Sequence, residues 1–167
     1  RLVNSDDPEG AVWTGSNETG FSIMNTASYN LKDDDIKEMD QEGNLMRKAL
    51  RVCKTVQDFE HFLDTLPRPM HVEANFGVID AYGGAAYYET NNERYYKKDA
   101  NDPNLAPEGY LIYTNFSFEG RTDEGKGYVR YENAKKILRK CGTEDLLLSV
   151  SFNRLPALFI IACWISI

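Results

Sequence analysis

Two asparagines lie at the ends of hydrophobic stretches. Asn25 follows Phe21-Ser22-Ile23-Met24, and Asn115 follows Leu111-Ile112-Tyr113-Thr114. A neutral amide at a strand end can donate a hydrogen bond to a developing oxyanion without carrying charge into an apolar site. Asn is also common in turns, so spacing alone leaves both readings open. Two carboxylates, Asp80 and Glu89, flank a glycine-rich turn and are candidates for a catalytic pair. They fall on different strands and are expected to be solvated strand ends. Asp33-Asp34-Asp35 offers three adjacent carboxylates but lacks the Asp-x-Asp-x-Asp-Gly spacing of a calcium loop, so a solvated loop is expected there.

Other chemistry is poorly supplied. The three cysteines, Cys53, Cys141 and Cys163, are widely spaced, and no CxxC occurs. Two histidines, His61 and His71, are too few and too far apart for a histidine-rich metal site. GxSxG, HExxH and P-loop patterns are absent, and Gly83-Gly84 precedes a strand without forming GxGxxG. No cofactor or metal is called for. Nineteen basic against 26 acidic residues give a net charge of −7, a field that repels a nucleic-acid backbone.

These residues need elements to position them. At 167 residues, with 42% hydrophobic and 27% charged side chains, the chain has globular proportions and the length of about one domain. Ala11–Thr14 and Gly20–Asn25 read as strands. Met46, Leu50 and Cys53 recur at helical spacing, with Leu45, Ala49 and Val52 alongside. Cys53 therefore reads as a small core hydrophobe rather than a nucleophile. Thr55-Val56-Gln57-Asp58 is a capping box that opens a second helix, through Phe59, Phe62 and Leu63, and Pro67 and Pro69 stop it. His61 lies off that apolar stripe.

Residues 75–80, 85–89 and 94–97 predict a three-stranded meander with glycines at the first turn. A further strand is expected over 110–115. A helix follows, with Tyr128, Tyr131, Ala134 and Ile137 or Leu138 on one face, and Thr143–Leu148 opens another short one. Strands and helices come in blocks, which predicts an α+β fold. Residues 1–150 are expected to form the domain. Residues 151–167 contain an apolar run, 155–167, shorter than the roughly 17–25 residues of a membrane helix, so no membrane span is expected.

Several of these segments resemble, in collinear order from about Pro8 to Val150, the N-terminal-nucleophile hydrolases. The similar branch contains choloylglycine hydrolases, penicillin V acylases and acyl-CoA:6-aminopenicillanate acyltransferase-like proteins. Residues 15–26, Gly-Ser-Asn-Glu-Thr-Gly-Phe-Ser-Ile-Met-Asn-Thr, look like the family's Asn-Glu-x-Gly-hydrophobic…Asn segment. Tyr113-Thr114-Asn115-Phe116 is similar to its Leu-Thr-Asn strand end, and Gly127-Tyr128-Val129-Arg130-Tyr131 to its arginine-bearing helix start.

The resemblance implies an αββα sandwich with antiparallel sheets and cleavage or formation of linear amide C–N bonds in a small-molecule amide or acyl substrate. It implies an autoprocessed enzyme whose first mature residue is a cysteine, with its own α-amino group as general base. That amine titrates at about 7.7–8.0 when unperturbed. The implied oxyanion hole takes a backbone N–H at Asn25 and the side-chain amide of Asn115. Arg130 is implied to keep the nucleophile's surroundings electropositive.

The chain departs from this pattern in starting at Arg1, and none of its three cysteines has a free α-amino group. It therefore reads as a fragment without its own nucleophile, inactive in isolation. The other reading is a non-enzymatic binding module or degenerate remnant, with Tyr87, Tyr88, Tyr95 and Tyr96 stacking on a sugar or drug-like ring. The sequons Asn17-Glu18-Thr19 and Asn115-Phe116-Ser117 leave the compartment open.

Overall fold

The alternation of Phe21-Ser22-Ile23-Met24 and of residues 74–79 and 85–90 suits strands that bury large side chains on a sheet. A computed structural model of the chain describes residues 2–3, 10–28, 41–120, 122, 125–139 and 160–161. Six strands form one antiparallel sheet in chain order: β1 (Leu2–Val3), β2 (Val12–Ser16), β3 (Ser22–Ala27), β4 (Ala74–Ile79), β5 (Ala85–Thr90) and β6 (Tyr95–Asp99). Between β3 and β4 run helices α1 (Glu42–Val52) and α2 (Val56–Thr65). Strand β7 (Ile112–Tyr113), helix α3 (Lys126–Leu138) and strand β8 (Ile160–Ile161) follow. The expected α+β class and meander are present, with Gly77 paired to both Met24 and Tyr87.

One face of the sheet carries Phe21, Ile23, Phe76, Val78 and Tyr88, buried against Met46, Ala49, Cys53, Phe59 and Leu63 of the α1–α2 layer. Phe59 is its hub, with ring centroids 5.2 Å from Tyr88, 6.0 Å from Phe21 and 6.1 Å from Phe76. The other face carries Thr26, Asn75, Tyr87 and Glu89, and β7 with the segment after it covers this side, Tyr113 stacking on Tyr87. Helix α3 packs against β7. The layers run helices, sheet, short sheet, helix.

The second sheet differs from the antiparallel expectation: β7 pairs in parallel with β8, two residues a side. Among the described residues β7 covers only Ile112–Tyr113 of the expected 110–115, and Thr114 donates its hydroxyl to the Gly127 carbonyl at 2.8 Å. On α3 the buried residues are Gly127 and Leu138, while Ile137 is exposed. The helix expected at Thr143–Leu148, the Asp33–Asp35 loop and most of the 151–167 tail lie outside the described residues. Among the described residues no helix is long and apolar enough to cross a membrane.

The capping box forms as read. Thr55 Oγ1 accepts the Asp58 N–H at 3.0 Å, and Asp58 Oδ2 accepts the N–H groups of Lys54 at 2.9 Å and Thr55 at 3.0 Å. The Lys54 N–H, then that of Thr55, hold the Asp58 carboxyl below its ordinary value. A carboxylate whose folded value is depressed stabilises the fold above its unfolded value and loses that contribution as pH falls through the folded one. Thr55→Ala should cost about 1 kcal/mol in urea unfolding. The stability gap between the parent and Asp58→Ala should be open at pH 7 and close as pH drops below about 4. A gap that stays constant down to pH 2 contradicts the capping role.

Candidate functional site

Asn115 and Arg130 meet. The Arg130 guanidinium donates from Nη1 to Asn115 Oδ1 at 2.5 Å, and Asn115 Nδ2 donates to the Ala27 carbonyl at 2.9 Å. Arginine offers only donors and a carbonyl only lone pairs, so this pairing fixes which way the amide faces. An amide nitrogen carries two hydrogens. One is committed to Ala27, and the second can serve another acceptor.

Asn25 lies on β3, two residues before Ala27 and opposite Phe76 in the ladder. Two residues of strand rise place it roughly 6–7 Å from Ala27. Alternation puts its side chain on the face shared with Ile23, whereas its neighbour Thr26 faces the other way and donates to the Thr114 carbonyl at 2.9 Å. A shared site with Asn115 therefore has the Asn25 backbone, not its amide, to draw on.

The approach of α3 depends on Gly127. A Cβ there would sit 2.1 Å from the Asn115 carbonyl oxygen, closer than any side chain tolerates. The glycine lets the first turn of the helix lie against the Asn115 peptide, and Arg130, one turn on, reaches the amide.

Beneath Asn115, the segment is fastened across three strands. Thr26 holds Thr114 from β3. Asn75 on β4 accepts from Ser117 Oγ at 2.7 Å, and Ser117 is 2.7 Å from Ser28 Oγ. On β5, Glu89 accepts the N–H groups of Phe118 at 2.9 Å and Glu119 at 2.8 Å, one on each carboxylate oxygen. Burial pushes the Glu89 carboxyl above its ordinary value, while the Glu119 and Phe118 N–H groups and the Lys98 charge pull it back.

The solvated-end reading of Asp80 and Glu89 is thus corrected. Glu89 is fully buried and Asp80 only 6% exposed. They are not a pair. Asp80 Oδ2 accepts the Val56 N–H at 2.9 Å at the start of α2, and its Oδ1 accepts from Tyr82 at 2.8 Å and Gly84 at 2.9 Å. Each carboxylate is buried because backbone donors needed an acceptor there. Glu89 shares its face with Tyr87, and strand alternation could have flagged it.

The tyrosine surface is also corrected. Tyr87 and Tyr88 are buried on opposite faces of the sheet, so neither can stack on a ligand. Tyr95, half-buried, donates its hydroxyl to Asp64.

The Asn-Glu-x-Gly segment has a structural task. Asn17 Nδ2 donates to the carbonyls of Leu50 at 3.0 Å and Cys53 at 2.7 Å, satisfying the last turn of α1. Its Oδ1 accepts from the Thr19 and Phe21 N–H groups, and Gly20 takes the left-handed conformation (φ +86°) that closes the turn. Asn17 spends both hydrogens of its side-chain nitrogen on carbonyls, a geometry that leaves no place for a glycan there. Cys53 is buried, and burial, then the Asp58 charge, push its thiol up to about 12. It supplies no thiolate near neutral pH. His61 is exposed on α2.

No family model and no curated protein matches the chain. Among solved structures it is similar to two mutant forms of the conjugated bile acid hydrolase from Clostridium perfringens. Both likenesses are at 16% identity, cover 86% of this chain, and have TM-scores of 0.44 and 0.42. The chain spans 57% of the length of each of these structures.

Two measurements check this geometry. In peptide mapping after iodoacetamide at pH 8, Cys53 should stay unlabelled in the folded chain and label fully in urea; labelling of the folded chain would contradict the burial. Gly127→Ala should destabilise the chain by about 1–3 kcal/mol, as overpacking does, and should perturb the Asn115 side-chain amide signals in a nitrogen-15 NMR spectrum. A neutral substitution there would mean that α3 does not approach Asn115 this closely.

Proposed function

We propose that the chain carries the oxyanion-stabilising part of an amide hydrolase or acyltransferase of the N-terminal-nucleophile type, acting on a linear C–N bond. The observation that carries the reading is the Arg130–Asn115–Ala27 chain of hydrogen bonds. It fixes a neutral amide with one N–H to spare at the end of the strand that bears Asn25. The collinear motif resemblance supplies the reaction class.

In this reading a thiolate attacks the substrate's carbonyl carbon, and the α-amino group of the same cysteine takes the thiol proton. Negative charge builds on the carbonyl oxygen, which receives N–H bonds from Asn115 Nδ2 and the Asn25 backbone. Arg130 polarises the Asn115 amide by bonding its oxygen, strengthening the donor at its other end. Collapse of the intermediate breaks the C–N bond and sends the proton to the leaving amine. Water or an acceptor amine then takes the acyl group from the thioester. Cys53 is not this nucleophile, being a buried thiol without an α-amino group. The reaction requires a cysteine that carries a free α-amino group.

In the protein that presents this segment with an N-terminal cysteine, Asn115→Ala should lower turnover by about 10²–10³, the usual loss for one oxyanion donor. Asn25→Ala should cost less, because alanine keeps the backbone N–H. Arg130→Leu should move the acidic limb of the pH–rate profile upward, since removing a cation raises the thiol's pKa. Full turnover in Asn115→Ala would sink the proposal.

A further inference from the structure

One buried carboxylate has no part in the chemistry above. Glu89 sits on β5, fully buried, with β4 and β6 paired on either side of it. Desolvating a carboxylate is costly unless strong donors compensate. Here the donors are two successive backbone N–H groups, Phe118 and Glu119, in the turn closed by the Gly120 N–H on the Ser117 carbonyl. Bonds of this charge-assisted kind are roughly twice as strong as neutral ones. We propose that Glu89 is the positioning residue of the Asn115 site: its carboxylate pins the 116–119 turn to β5 and thereby sets where Asn115 stands against β3. For catalysis, this rests on the reading of Asn115 as an oxyanion donor.

The fastenings are ordered along the segment. Thr114 and Asn115 are tied to Thr26 and Ala27 on β3, and Ser117 to Asn75 on β4. Phe118 and Glu119 are tied to Glu89 on β5. Without the last tie the backbone of the turn loses its anchor on β5 and keeps the side-chain ties of Ser117 to Asn75 and of Glu119 to Lys98, so more of its motion reaches the Asn115 amide. Glutamine is nearly the same shape as Glu89, yet it would present an NH2 to one of the two N–H groups. It tests the charge and the acceptors rather than the packing.

The test reads the nitrogen-15-labelled chain by NMR. In Glu89→Gln the Phe118 and Glu119 amides should exchange with solvent at least about tenfold faster, a local opening rather than a global one. The Asn115 side-chain amide pair should shift, while the Ile23 and Val78 amides of the β3–β4 ladder keep their rates. Unchanged Asn115 signals beside an opened turn would overturn the proposal.

Should Glu89→Gln fail to fold, Glu89→Asp keeps the charge but withdraws the carboxylate by one methylene from the Phe118 and Glu119 N–H groups and should move the Asn115 signals the same way. Unchanged signals there overturn it equally. These signals need no substrate, so their failure leaves the role of Asn115 standing. In the active protein, Glu89→Gln should lower kcat by about 10–100-fold with little change in KM, the signature of a misplaced group. Loss of turnover in Asn115→Ala with none in Glu89→Gln would keep the oxyanion reading and reject the positioning role.

Discussion

The hairpin of β4 and β5 is buried on both faces, and that constraint governs the rest of the structure. All six residues of β5 are buried. A strand in this position cannot leave a polar side chain to water, so each one must find a partner in the layer above or below. On the helix face the side chains are Ala86, Tyr88 and Thr90, and Thr90 turns its hydroxyl back to the Ala74 carbonyl at 2.6 Å. On the opposite face Asn75 and Glu89 have no such local outlet. Their partners are the serine hydroxyl and the backbone N–H groups of the 116–119 segment, which therefore has to lie across the sheet. Asn115 is placed as a by-product of satisfying two buried polar residues.

Backbone groups at helix ends impose the second set of choices. The last carbonyls of α1 are taken by Asn17, and the first N–H groups of α2 by Thr55, Asp58 and Asp80. Two turns of the sheet, at 17–20 and at 80–84, are thereby tied to one place in the helical layer, the α1–α2 junction at residues 50–56. The Asn-Glu-x-Gly stretch belongs to this bracing and does not itself touch Asn115.

Much of this was legible in the sequence. Helix α2 announced itself by its capping box and its prolines, and the meander by its alternation and glycines, because local backbone chemistry dictates both. The juxtaposition of Asn115 and Arg130 was within reach only through resemblance, since nothing local links a strand end to a helix 15 residues later. Asp80 and Glu89 were misread because turn-flanking carboxylates are usually solvated. What buries them is a covering segment 29 or 30 residues further on for Glu89, and a helix start 24 residues earlier for Asp80.

The strands of the large sheet are neighbours in the chain as well as in space, so its pairing needs few long loops to close. The Asn115 platform is built the other way. Its bonds to β3 join residues 88 positions apart, at Thr26–Thr114 and Ala27–Asn115. Closing such a span costs more chain entropy than any hairpin turn. The surface that presents the amide is thus the least local part of the molecule, assembled on a sheet that can form before it exists.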